Sequence, residues 1–285
     1  MEILRTVEEL RRWSRTARRR AAAHENCVVA LVPTMGALHA GHASLIRAAA
    51  QSCGNVAVSI FVNPTQFGPD EDYAKYPRSF AADCELAAAE GAAAVFVPSV
   101  EEIYPEGGAT FVDVDGLSER LDGKSRPGHF RGVATVVAKL LLAAEPDKAF
   151  FGQKDAAQVA VLRRMVTDLR IGTEIVVCPI VREADGLALS SRNVYLSTEG
   201  RKRALTLSRA VRRVEALVKH GERRAEALIA AARVTFSVEP SVRVDYVELV
   251  DWATLLPVET AAPGTLFAVA AWVGPTRLID NTVIG

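Results

Sequence analysis

Val28-Val29-Ala30-Leu31-Val32-Pro33-Thr34-Met35-Gly36-Ala37-Leu38-His39-Ala40-Gly41-His42 is the stretch that decides the fold. Its first five residues form a continuous aliphatic run, rich in valine and bounded by Pro33 and Gly36. A strand buried on both faces reads this way. A helix follows from His42 to Ala50. The alternation then repeats. Val56–Val62 reads as a strand ended by Asn63-Pro64, and Asp83–Glu90 as a helix that closes at Gly91. Ala94–Val97 is a strand stopped by Pro98, Val133–Ala144 a strongly apolar helix, and Lys148–Phe151 a strand. Asp155–Leu169 is a helix and Ile175–Val177 a strand stopped by Pro179. Buried strands separated by helices predict a parallel sheet with right-handed crossovers, a doubly wound α/β domain. Such sheets bind ligands beyond the carboxyl ends of their strands. Ahead of this unit, Thr6-x-x-Glu9 followed by Leu10 and Trp13 predicts a capped amphipathic helix.

After about residue 180 the pattern changes. An arginine-rich helix runs from Ser197-Thr198-Glu199 to about His220, and a second from Glu222 to about Ala232. Short strands follow near Val244–Val250, Leu266–Val273 and the C-terminus. The expected organisation is a first domain over 1–180 and a smaller α+β domain over 181–285.

The chain has 285 residues, enough for a large core and about two domains. Lys+Arg and Asp+Glu are both 34, so the net charge is zero, which excludes a generally basic nucleic-acid binder. Hydrophobic residues make up 49%, which excludes a disordered chain. The longest apolar run is broken by Lys139, so no membrane span is expected, and no apolar signal core is seen at the N-terminus. Cys27, Cys53, Cys84 and Cys178 show no metal or CxxC spacing. They read as reduced, mostly buried thiols of a cytosolic protein.

Three strand-to-helix segments carry chemistry. In the first, Gly36 makes a turn whose N–H groups would approach a phosphate at a helix N-terminus. His39 and His42 flank Gly41, where an adenine or ribose would lie flat on the backbone, and the imidazoles would donate to a phosphorus centre or to departing pyrophosphate. Two histidines could also simply cap and pack the helix. In the second, Phe151-Gly152-Gln153-Lys154-Asp155-Ala156-Ala157-Gln158, Lys154 suits polyphosphate, Asp155 a helix cap or a ribose contact, and Gln158 lies one turn on. Alone, it reads equally well as a plain helix start. The third, Leu189-Ser190-Ser191-Arg192-Asn193, is a compact anion clamp or, taken alone, a polar turn. Gln66 leads into a polar loop, Gly68–Arg78, that is either a lid excluding water or an ordinary solvent loop. No serine or cysteine nucleophile arrangement stands out, so positioning and electrostatics carry the expected chemistry.

These segments resemble the pantoate–β-alanine ligase family. The resemblance rests on Pro33–His42, Ile60-Phe61-Val62-Asn63-Pro64-Thr65-Gln66-Phe67, Tyr76-Pro77-Arg78 and Arg126-Pro127-Gly128-His129-Phe130-Arg131-Gly132-Val133. It continues through Gly152–Gln158 and Ser190-Ser191-Arg192-Asn193-Val194-Tyr195-Leu196-Ser197. Each motif is weak alone, and six in order from about residue 28 to 198 are specific. The resemblance implies a Rossmann-like nucleotidyltransferase domain with a smaller domain closing over it, and a cytoplasmic homodimer. It implies that ATP, (R)-pantoate and β-alanine give pantothenate, AMP and pyrophosphate through a pantoyl adenylate, with Mg²⁺. It assigns ATP binding to Met35, Gly36, Ala37, Leu38, His39, Ala40, Gly41 and His42, with His42 as general acid. Gly152, Gln153, Lys154, Asp155, Val181 and Leu189 would line the nucleotide pocket. His39, Lys154, Ser190, Ser191 and Arg192 would hold phosphates and stabilise the transferring charge. Gln66 and Gln158 would bind pantoate and β-alanine.

Just after Tyr76-Pro77-Arg78 this chain carries one carboxylate, Asp83, where some relatives are richer in acids, so no direct protein ligand for Mg²⁺ is expected. His39, His42, Lys154 and Arg192 are expected to meet at one triphosphate, with Asp70, Glu71 and Asp72 on the loop beside it. Arg18–Arg20 and Arg201–Arg203 are expected to be solvated helix residues. Two other readings remain at this point. A cytidylyltransferase with the same histidine turn would want more cations and leaves Gln66 and Gln158 without a task. A non-catalytic ATP sensor would not need Lys154 and Ser190–Arg192.

Overall fold

The computed structural model describes residues 1–21, 27–69, 71 and 73–285. In chain order the regular elements are β1 (Glu2–Leu4), α1 (Val7–Arg20), β2 (Val29–Thr34), α2 (Ala40–Ser52), β3 (Asn55–Ile60), α3 (Phe80–Ala89), β4 (Ala94–Phe96) and α4 (Val100–Ile103). They continue with α5 (Asp122–Ser125), α6 (His129–Ala144), β5 (Lys148–Gly152), α7 (Ala156–Asp168) and β6 (Glu174–Cys178). The last five are α8 (Thr198–Lys219), α9 (Ala225–Ser237), β7 (Val242–Asp251), β8 (Thr265–Val273) and β9 (Thr276–Val283). The chain divides into two compact units, one of Met1–Gly152 with Val161–Cys178, the other of Gln153–Ala160 with Pro179–Gly285.

The first unit holds a six-stranded sheet in the order β1-β4-β3-β2-β5-β6, every pair parallel. The doubly wound α/β architecture is therefore as the aliphatic runs predict. Val29, Ala30, Leu31 and Val32 are wholly buried because helices cover both faces of β2. α6 reads as apolar all round because it is a buried helix, with only Arg131, Lys139 and Leu142 outside the core. Strand order reverses between β2 and β5, the switch point at which open parallel sheets bind ligands. The Thr6 cap forms as expected: Thr6 accepts from the Glu9 N–H, and Glu9 accepts from the Thr6 N–H. β1 is an addition to the expected strands. Three residues at a sheet edge carry too little pattern to be legible.

The second unit packs α8 and α9 on the antiparallel sheet β7-β8-β9. Its core joins Leu207, Val211, Val214 and Leu228 to Phe267, Val269 and Ala271. Asp280, 2% exposed, takes a bidentate pair from Arg182 at 2.7 and 2.9 Å. The segment 153–160, which the sequence pattern groups with residues 1–180, clusters with this unit.

Two expectations are corrected. Cys27 and Cys53 are joined in a disulfide, whereas Cys84 and Cys178 are free. Cys27 precedes β2 and Cys53 ends α2 just before β3. The adjacency of those strands brings the two Cα atoms to 4.7 Å, and the Gly54 N–H donates to the Cys27 carbonyl. Arg18 and Arg201 are not merely solvated. Arg18 pairs with Asp147 at 2.9 Å, and Arg201 chelates Glu183 at 2.6 Å and Asp185 at 2.9 Å. Asp70 and Asp72 lie outside the described residues.

Candidate active site

The β2–α2 turn bends through the left-handed region twice, with φ +83° at Gly36 and +49° at Ala37. A glycine suits the first position, where a Cβ would come within 3.0 Å of the Asp83 Oδ2 and the Ile60 Cγ2. Its N–H groups are not the open phosphate cradle expected from the motif. Gly36 donates to the Thr34 hydroxyl, and Ala37 and Leu38 donate to the two oxygens of Asp83 at 2.9 and 2.8 Å. The two histidines cap each other's backbone. His39 Nδ1 accepts from the Gly41 N–H at 3.1 Å, and His42 Nδ1 accepts from the His39 N–H at 3.3 Å. Their rings lie 4.1 Å apart. When neutral, a ring that accepts at Nδ1 carries its proton on Nε2. Capping and ligand contact are thus compatible uses of the same pair.

Gln66, 9% exposed, is held from three sides. Asn63 donates to its Oε1 at 3.1 Å, its Nε2 donates to the Met35 sulfur, and its carbonyl accepts from His129 Nδ1 at 2.9 Å. Gly132 on α6 allows that approach, since a Cβ there would lie 2.4 Å from the Thr65 carbonyl oxygen. Arg126 bridges the assembly, donating to Glu71 at 2.7 and 2.6 Å and to His129 Nε2 at 2.9 Å. Burial raises the Glu71 carboxyl, and the Arg126 hydrogen bonds and charge outweigh it, so Glu71 stays below the ordinary carboxylate range. Burial foremost, then the Arg126 charge, push His129 down to about 4, so the ring is neutral. Asn63, Arg126, His129 and Gly132 stand in the quoted motifs without an assigned task. Their tasks become visible only when α6 meets the β3 loop.

Gly152 ends β5 in the first unit, and the remaining expected residues belong to the second unit. Lys154 Nζ lies 3.3 Å from Asp155, at the start of α7, with Gln158 in the first turn of that helix. The backbone here is gripped by Asn281 of β9, which donates to the Gln153 and Lys154 carbonyls at 3.0 and 2.9 Å and accepts from the Gln153 amide at 3.2 Å. Val181 and Leu189 are brought together by a small hairpin, in which the Leu189 N–H donates to the Val181 carbonyl. Ser190 caps the 3₁₀ turn Ser191–Tyr195 by accepting from the Arg192 N–H. Asn281 was not foreseeable from any motif, being 127 residues from Lys154.

A family model described as pantoate-beta-alanine ligase matches residues 2–283. The chain belongs to the pantoate–β-alanine ligase family. A pantothenate synthetase of Acidobacterium capsulatum is 58% identical over all of this chain and 95% of that protein. One of Thermotoga petrophila is 51% identical over the full length of both. A solved pantothenate synthetase of Thermus thermophilus superposes with TM-score 0.91 at 44% identity, covering 100% of this chain and 99% of that one. A solved pantoate-beta-alanine ligase of Francisella tularensis, described as complexed with beta-gamma ATP and beta-alanine, superposes with TM-score 0.78 at 33% identity, covering 99% and 97%. The family's α/β sheet with a smaller second domain is the architecture seen here. No described helix is long and apolar enough to cross a membrane.

Proposed function

We propose that this chain condenses (R)-pantoate with β-alanine at the expense of ATP, releasing AMP and pyrophosphate through a pantoyl adenylate. One observation carries the reading: the paired-histidine turn at the carboxyl end of β2, in a chain matched to the ligase family over residues 2–283. A pantoate carboxylate oxygen attacks the α-phosphorus in line, and pyrophosphate leaves. The β-alanine amine then attacks the acyl carbon, and AMP leaves. Met35–His42 takes the nucleotide, and His39 and His42 present Nε2–H donors to its phosphates, His42 to the departing oxygen. Lys154, Ser190, Ser191 and Arg192 supply further donors and charge. Gly152, Gln153, Asp155, Val181 and Leu189 shape the nucleotide pocket. Gln66 and Gln158 hold pantoate and β-alanine through neutral amides.

Mg²⁺ enters with ATP as part of the substrate. Both Asp83 oxygens are committed to the turn. Phosphate oxygens and water would hold the ion. We also infer a cytoplasmic homodimer, on the family resemblance.

Exchange of labelled pyrophosphate into ATP, with pantoate present and β-alanine absent, tests the reading. Exchange that requires pantoate is expected. Its absence in a folded, ATP-binding sample overturns the proposal.

A further inference from the structure

We infer that Asp83 is a positioning residue for nucleotide binding, acting through the backbone of the Gly36–Leu38 turn and not by touching ATP. The inference rests on the ligase reading and deepens its account of the first site. Asp83 is 2% exposed in the first turns of α3. A buried carboxylate is costly unless its oxygens are hydrogen-bonded. Here Oδ2 takes the Ala37 N–H at 2.9 Å, and Oδ1 takes the Leu38 N–H at 2.8 Å and the Ser79 hydroxyl at 3.0 Å. Two consecutive N–H groups in a turn that passes through positive φ form the concavity that elsewhere binds anions. In this chain the protein's own carboxylate fills it.

Two consequences follow. The Ala37 and Leu38 N–H groups are withdrawn from any phosphate. The left-handed conformation at Ala37, unfavourable for a residue with a Cβ, is held by the pair of bonds. The turn leads directly into His39, whose ring and N–H make the reciprocal cap. Asp83 therefore sets where α2 begins and where the two imidazoles point. The sign of its effect is diagnostic. A carboxylate beneath a triphosphate site repels the nucleotide, so neutralising it should tighten ATP binding if charge alone matters. If Asp83 acts by holding the turn, the same change should weaken ATP binding.

The test compares the parent protein with Asp83→Asn and Asp83→Ala. Asparagine keeps the shape and one acceptor, and sets its NH₂ against the second N–H. For Asp83→Asn, calorimetry with a non-hydrolysable ATP analogue should show Kd raised about tenfold or more, the scale of one hydrogen bond to a charged group. Pantoate-dependent pyrophosphate exchange should show KM for ATP raised with it and KM for pantoate within about twofold of the parent. Hydrogen exchange at the Ala37 and Leu38 amides should quicken, and Asp83→Ala, if it folds, should be worse in every measure. Tighter ATP binding by Asp83→Asn, an unchanged Kd, or equal rises in both KM values would overturn the inference. A parent protein with no pantoate-dependent exchange would instead count against the ligase reading, leaving the calorimetric comparison to judge Asp83.

Discussion

His129 shows how one buried side chain turns packing into a pH response. The residue is 8% exposed, its ring wedged between the Arg126 guanidinium and the Gln66 carbonyl, with the carboxylates of Glu71 and Asp122 near enough to act on it. Its pKa falls from the ordinary 6.5 to about 4, first because burial penalises the charged ring. Between those values the unfolded chain binds a proton that the folded chain refuses. Stability is therefore complete above the unfolded value and falls as pH drops toward the folded one, by roughly 3 kcal/mol across the window. Urea unfolding at pH 7 and pH 4.5 should show a larger loss in the parent protein than in His129→Gln. Equal losses would remove His129 from the account. The residues that support the site lie at the end of what sequence shows. His39, His42, Lys154 and Gln66 announce themselves because their chemistry sits in local turns. Asp83, Asn63 and Asn281 do their work across 45, 69 and 127 residues. A carboxylate or amide carries no local mark of such a partner.

At the scale of elements, the aliphatic runs gave away the parallel sheet because each strand is buried on both faces. The β2–α2 turn was legible as a strand-to-helix turn, and its internal wiring was not, since its N–H groups are filled from α3 and from its own histidines. The disulfide was hidden for a similar reason. Cys27 and Cys53 stand at the amino ends of neighbouring strands, and only the β2–β3 register makes them partners. Closing a loop with a sequence separation of 26 restricts the unfolded chain, a stabilisation of about 3.5 kcal/mol on the loop-entropy model. Thermal melts should therefore show a reductant-sensitive midpoint in the parent protein and a reductant-insensitive, lower one in Cys53→Ser. Pyrophosphate exchange at moderate temperature should barely change, because the bond lies at the strand ends opposite the turn. A midpoint indifferent to reductant would exclude a stabilising disulfide. Burial raises the remaining thiols, Cys84 with help from the Asp83 charge, which disfavours the thiolate in both.

For the molecule as a whole, equal numbers of positive and negative residues do not mean scattered ones. Arg126 with Glu71, Arg182 with Asp280, Arg277 with Asp245, and Arg201 with Glu183 and Asp185 consume cations in structure. The division into units is not a single cut either. Residues 153–160 belong with the second unit, where Asn281 holds the Gln153 and Lys154 carbonyls and the Trp252 indole donates to the Ala156 carbonyl. A fragment of residues 1–180 should thus keep its sheet yet melt at lower temperature than the intact chain, with rapid hydrogen exchange confined to the start of α7. A fragment as stable as the parent would argue that those bonds contribute nothing. The same arrangement bears on inheritance. A crossover near residue 180 between two diverged genes would pair one ancestor's segment 153–160 with another's Asn281 and Trp252. Recombination would then be tolerated only where those partners match, so the second unit is inherited as one block although its sequence is split in two.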